Sequence, residues 1–132
     1  MVARTPQYRV VRVVEGDEAR RFPAFYRLIW AAHVAEFSDL SAPERHACMD
    51  AVTAIEQVLR ARLAPTKVNL ATLGNVVPHL HWHVIARFDW DSHFPAPVWA
   101  APQRDEVAGG AAARLAQPLA AVDAAIAQAL SR

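Results

Sequence analysis

The sequence predicts an α+β domain, and three observations predict it. Four short segments are rich in β-branched and aromatic residues, one long amphipathic helix separates the second from the third, and a short alanine-rich helix closes the chain. At 132 residues the chain has the length of one domain. A single domain over 1–132 is expected, with its core at about 8–100 and a C-terminal arm and helix over 101–132.

Residues 8–14 (YRVVRVV) are dense in valine and suit a strand, and Glu15-Gly16-Asp17 is turn chemistry that ends it. A second strand follows at 25–30 (FYRLIW). The segment 41–63 reads as the main helix. Ser41 with Glu44 three residues on is a capping-box pattern, and Pro43 falls in the first turn, where its missing N–H is harmless. Cys48, Val52, Ile55, Leu59 and Leu63 then make one apolar stripe, which places Cys48 as a packed, inert thiol. Pro65 stops the helix. Residues 67–73 read as a third strand, Gly74-Asn75 as a turn or bulge, and 79–88 as a fourth strand. The proline-rich stretch DWDSHFPAPVWAAPQ reads as an extended arm, Gly109-Gly110 as a flexible break, and the residues after Pro118 as a short helix with Leu119, Val122, Ile126 and Leu130 on one side.

Hydrophobic residues make up 54% of the chain, enough for one core even with its excess of alanine. The 14 basic and 13 acidic residues nearly cancel, and the basic ones form no run or stripe along the sequence, so no nucleic-acid partner is expected. No apolar run approaches the roughly 18 residues of a membrane span, and MVARTPQYRV lacks the pattern of a signal peptide. With a single cysteine as well, a cytoplasmic address is expected.

The fourth strand carries the chemistry. On a pleated strand His79, His81, His83, Ile85 and Arg87 share one face, and Leu80, Trp82, Val84, Ala86 and Phe88 share the other. Three imidazoles on one face are a poor choice for packing, because each brings two ring nitrogens that need partners. Same-face neighbours lie roughly 6.5–7 Å apart, so the set centres on His81. A neutral imidazole with a free lone pair is a capable nucleophile near pH 7.

His79-Leu80-His81-Trp82-His83-Val84-Ile85 resembles the alternating signature of the histidine triad (HIT) superfamily of nucleotide hydrolases and transferases. The stretches WAAHVAEFSDL at 30–40, NLATLGNVVPHLHWHVIARF at 69–88 and HFPAPVW at 93–99 are similar to a bacterial branch of small HIT proteins that resemble diadenosine tetraphosphate hydrolases. The resemblance implies a HIT-like α+β fold with an antiparallel sheet of about five strands and one long helix, assembled as a homodimer. It implies a small-molecule nucleotide as partner and no cofactor, beyond a divalent cation that accompanies a polyphosphate substrate. On this chain it gives His81 the role of nucleophile on the α-phosphorus, the carbonyl of His79 that of orienting it, and His83 contact with the phosphate or the leaving oxygen. Asn75 and Asn69 fall at phosphate- and ribose-contacting positions, and Glu15 or Asp17 falls where a ribose-binding carboxylate is common. Val76 departs from the nucleoside phosphoramidases of the superfamily, which carry a hydroxyl there. A valine relays no proton, and loss of the relay favours anhydrides over phosphoramidates.

Three other readings compete at the triad. The histidines could be a solvated strand face, or a zinc site with a third ligand from His93, Asp89 or Asp91. Within the superfamily a nucleoside phosphoramidase is the alternative reaction, and a HIT-fold nucleotide-binding module with little turnover is the non-enzymatic alternative. His33 reads as a strand-end or loop histidine, His46 as an exposed helix residue, Arg87 as a surface arginine and Trp82 as core. Trp90 and Trp99 flank the arm without a role that the sequence decides.

Overall fold

The strand-like segments pair into one five-stranded antiparallel sheet in the computed structural model, which describes residues 1–131. Its strands are β1 (Ala3–Arg4), β2 (Tyr8–Arg12), β3 (Phe25–Trp30), β4 (Lys67–Ala71) and β5 (His81–Arg87), in the spatial order β1-β2-β3-β5-β4. The helices are α1 (Gly16–Arg21), α2 (Ala42–Leu63) and α3 (Leu119–Leu130). This is the α+β architecture the sequence predicts. No helix among the described residues is long and apolar enough to cross a membrane.

One strand and one α-helix are additions. β1 is only two residues long, too short for alternation to show. α1 replaces the turn expected at 15–17. Glu15 is its N-cap residue, Asp17 and Glu18 lie in its first turn, and Arg20 and Arg21 in its last, a distribution that complements the helix dipole.

α2 starts as expected. The Glu44 N–H donates to Ser41 Oγ at 3.3 Å, and the Ser41 N–H donates to Glu44 Oε1 at 2.8 Å. Its stripe of Cys48, Val52, Ile55, Leu59 and Leu63 is buried against Tyr26, Leu28, Trp30, Val84 and Ala86 on one face of the sheet. Burial pushes the Cys48 thiol up to about 11, so it stays protonated and inert. α3 adds Val122 and Ile126 to the same core, and Asp123 ties it down by accepting from Arg12 Nε at 3.1 Å and from the Tyr26 hydroxyl at 2.6 Å.

With α2 and α3 on one side, the other face of the sheet is left to the histidines, and the arm after β5 folds back over part of it. Arg87 holds the arm there. It is 2% exposed, not a surface residue, because the arm turns at Asp91 and covers it. Its Nε donates to Asp91 Oδ2 at 2.8 Å, its Nη2 to the Ala96 carbonyl at 2.7 Å and its Nη1 to Asn69 Oδ1 at 2.9 Å. Burial alone would raise the Asp91 pKa, but the Arg87 guanidinium and the N–H groups of His93 and Phe88 prevail and hold the carboxyl below its usual range. Beneath the arm Phe22, Phe25, Ile85 and Val98 form a second, smaller apolar cluster.

Candidate active site

β5 lies inside the sheet, between β3 and β4, so its histidines stand on a surface fixed from both sides. Ile29 is paired with His81, and Arg27 with His83. His81 Nδ1 is 2.6 Å from the main-chain oxygen of His79. A carbonyl only accepts, so Nδ1 carries the proton, and in the neutral ring the lone pair is on Nε2. The Thr72 hydroxyl donates to the His81 carbonyl at 2.7 Å and fixes the backbone at the same residue.

His79 precedes β5, which starts two residues later than the sequence predicts, yet it lines the same cleft as His81 while Leu80 between them is buried in the core. His79 Nε2 donates to the Trp30 carbonyl at 2.6 Å, and its Nδ1 is 2.8 Å from Nδ1 of His33. Since the carbonyl claims the Nε2 proton, one proton is shared between the two Nδ1 atoms. The loop histidine His33 is thus a fourth histidine of the site. Sequence spacing gave no sign of it, because 46 residues separate the pair.

His83 is buried beside His81, with ring centroids 5.0 Å apart, and is flanked by Phe25 and Trp99 at 5.6 and 5.1 Å. Desolvation, together with the charges of His81 and Arg27, lowers its pKa to about 4. It is neutral near pH 7, with Nδ1 buried and without a partner among the described residues. Beside His81 a cleft of ≈ 320 Å³ is lined by Arg9, Arg27, Ile29, Val77 and His79, large enough for a small-molecule ligand.

Residues 9–90 match the HIT domain family. The chain belongs to the HIT domain family. Solved structures agree with this membership. A histidine triad protein of Bradyrhizobium japonicum is 26% identical with a TM-score of 0.70, the alignment covering 99% of this chain and 87% of that one. One of Marinobacter aquaeolei VT8 is 23% identical with a TM-score of 0.71, covering 98% and 87%. One of Sinorhizobium meliloti 1021 is 24% identical with a TM-score of 0.65, covering 80% and 76%. No curated protein matches the chain significantly. Membership supports a nucleotide-binding or nucleotide hydrolase or transferase role.

Within this HIT domain the other expected site residues are dispersed. Asn69 Oδ1 is engaged by Arg87, and its side chain serves the arm. Asn75 is exposed on the loop before the triad, with no side-chain hydrogen bond among the described residues. That loop turns at Gly74, whose φ of +70 suits glycine. Val76 is 91% exposed and outside the cleft, whereas Val77 lines it. Glu15 is exposed, and Asp17 is held by Arg20 at 2.7 Å. A carboxylate that reaches the histidine face beside the triad is that of Glu18, 3.6 Å from Arg27.

Two of the third ligands weighed for the zinc alternative are engaged elsewhere. Asp91 is bound to Arg87, and His93 Nδ1 is 2.8 Å from the Ser92 hydroxyl. No group of three or more metal-binding side chains occurs among the described residues.

Proposed function

We propose that this HIT domain is a nucleotide hydrolase or transferase that attacks the α-phosphate of an AMP-linked substrate through His81, with dinucleoside polyphosphates as the favoured class. The observation that carries the reading is the 2.6 Å contact between His81 Nδ1 and the His79 carbonyl, which leaves Nε2 as the nucleophilic nitrogen. A polar histidine face serving only solvent would not need its rings oriented by backbone in this way.

In the proposed reaction Nε2 forms a bond to the α-phosphorus as the bond from phosphorus to the bridging oxygen breaks. The leaving phosphate or nucleotide departs with the electron pair as a stable anion. Water then attacks the same phosphorus, breaks the phosphorus–nitrogen bond and releases the monophosphate, and the proton lost by water returns to solvent. His83, neutral at pH 7, supplies one N–H to a phosphate oxygen rather than acting as a charged acid. Asn75, free on the adjoining loop, is the second donor in this reading. A divalent cation enters only with a polyphosphate substrate, by neutralising its charge. A cytoplasmic homodimer acting on a small-molecule nucleotide, without nucleic acid, completes the proposal.

The test is turnover of AMP-linked substrates combined with trapping of a phosphorus–nitrogen adduct. His81→Ala is expected to lower turnover by at least about a thousandfold and to remove the adduct, while the fold is kept, because the residue leaves no apolar cavity. Activity retained within about tenfold overturns the nucleophile assignment. Saturable nucleotide binding by the wild type without adduct or turnover identifies a binding module instead.

A further inference from the structure

Arg4 and Arg9 are directly opposite each other across β1 and β2, Arg9 is opposite Ile29 across β2 and β3, and Ile29 is opposite His81 across β3 and β5. Residues directly opposite in antiparallel strands share a face, so these four form one row from the edge of the sheet to the triad. At the usual strand spacing the row is about 14 Å long. Arg27 flanks it on the same face, two residues along β3 from Ile29.

The charges of this row are poorly neutralised. Like charges directly opposite one another destabilise a sheet, yet neither Arg4 nor Arg9 has an ion-pair partner among the described residues. Arg27 has Glu18 at 3.6 Å, beyond hydrogen-bond distance, and its Nε is buried without a partner among the described residues. The other arginines of the sheet differ. Arg12 is paired with Asp123 and Arg87 with Asp91. Arg9 and Arg27 line the same cleft as His81, with Ile29 as an apolar floor between the cations and the nucleophile.

We infer that the row Arg4–Arg9, with Arg27 beside it, binds the anionic leaving group of the substrate, a chain of two or more phosphates running from the scissile phosphorus at His81 across Ile29 to the edge at β1. This deepens the proposed function and rests on His81 as the point of attack. Arg27 meets the first phosphates beyond the scissile one, and Arg9 and Arg4 meet the distal ones. The sheet is rigid, so the row favours a substrate by the length and charge of its leaving group, and a neutral leaving group meets none of it. A span of about 14 Å suits a short polyphosphate and falls well short of one helical turn of a DNA duplex.

Two measurements test this on the full chain. The first is calorimetric titration with inorganic tripolyphosphate, which has no nucleoside and needs no turnover. The wild type is expected to bind it, with affinity falling as salt rises, and the double variant Arg4→Gln/Arg9→Gln is expected to bind about tenfold more weakly. The second is the ratio of kcat/KM for diadenosine tetraphosphate to that for an AMP ester with a neutral leaving group, expected to fall about tenfold in the same variant. Both substitutions are at exposed positions, so the fold is retained. Absence of tripolyphosphate binding by the wild type overturns the inference, as does equal binding by the variant or an unchanged ratio. Tighter binding of a single-stranded oligonucleotide than of tripolyphosphate, lost in the variant, overturns it in favour of a nucleic-acid partner. If tripolyphosphate binds as expected but no nucleotide is turned over, the reaction assigned to His81 fails while the anion row stands.

Discussion

At His81 the orienting acceptor is a main-chain oxygen two residues back, so the nucleophile and the group that sets its tautomer come from one short stretch of chain. The leaving-group side is less economical. Breaking a phosphorus–nitrogen bond expels an amine that must be protonated as it leaves, whereas an anhydride expels an anion, so only the first reaction depends on a proton relay. The sequence points to Val76 as the missing relay, but that side chain faces solvent, and Val77 is the valine that lines the cleft. The expected outcome is that Val77→Ser raises kcat/KM for an adenosine phosphoramidate about tenfold relative to diadenosine tetraphosphate, about 1.4 kcal/mol of barrier, and that Val76→Ser leaves the ratio unchanged. The opposite pattern would show that the loop rearranges when substrate binds. The triad was legible in the sequence because its members alternate within five residues. His33 and Arg27 were not, because contacts between elements distant in the chain depend on strand register, which a single sequence does not display.

Among the elements, those with a strong local signal were legible and those defined by what they pack against were not. The capping box and apolar stripe of α2 fix its start and its buried face without reference to the rest of the chain. β1 exists only because β2 offers it an edge, and α1 is six residues long. The arm over 89–104 is the sharpest case. Proline spacing indicates an extended segment, but its docking depends on Arg87 and Asp91, each 2% exposed, and on Asn69 from β4. Removing one partner of a buried pair leaves the other charge stranded. Arg87→Met is therefore expected to destabilise the fold by about 3–5 kcal/mol, measured by urea denaturation, and to expose the Phe22–Val98 cluster. Arg87→Met/Asp91→Asn is expected to recover part of that loss, since no charge then remains to be buried and the amide oxygen still accepts from the His93 and Phe94 N–H groups. If the single variant loses less than about 1 kcal/mol, the pair is not what holds the arm.

For the molecule as a whole, the sheet separates two environments, with α2, α3 and the main core on one side and the histidines, Arg4, Arg9, Arg27, Arg87 and the arm on the other. Placing imidazoles under that arm couples folding to pH. His83 is 5% exposed, and its pKa in the folded protein is about 4, against an ordinary value of 6.5. His93 is lowered in the same direction, chiefly by burial. A histidine depressed by folding is neutral in the native state and protonated in the unfolded chain between the two values, so the unfolded chain binds more protons in that window. The contribution of His83 is complete above pH 6.5 and is lost as the pH falls toward 4. Stability is expected to drop by about 2 kcal/mol between pH 7 and pH 5 on this account, with His93 adding to the slope. Asp91 and Glu44, whose carboxyls are held below their usual range, contribute only at lower pH and do not mask the effect. Urea denaturation of the wild type and of His83→Gln at both pH values separates the contributions, and the variant should lose most of the slope. An unchanged slope in His83→Gln would mean that His83 titrates freely in the folded protein, and with that the neutral N–H donor assigned to it beside the phosphate would fall as well.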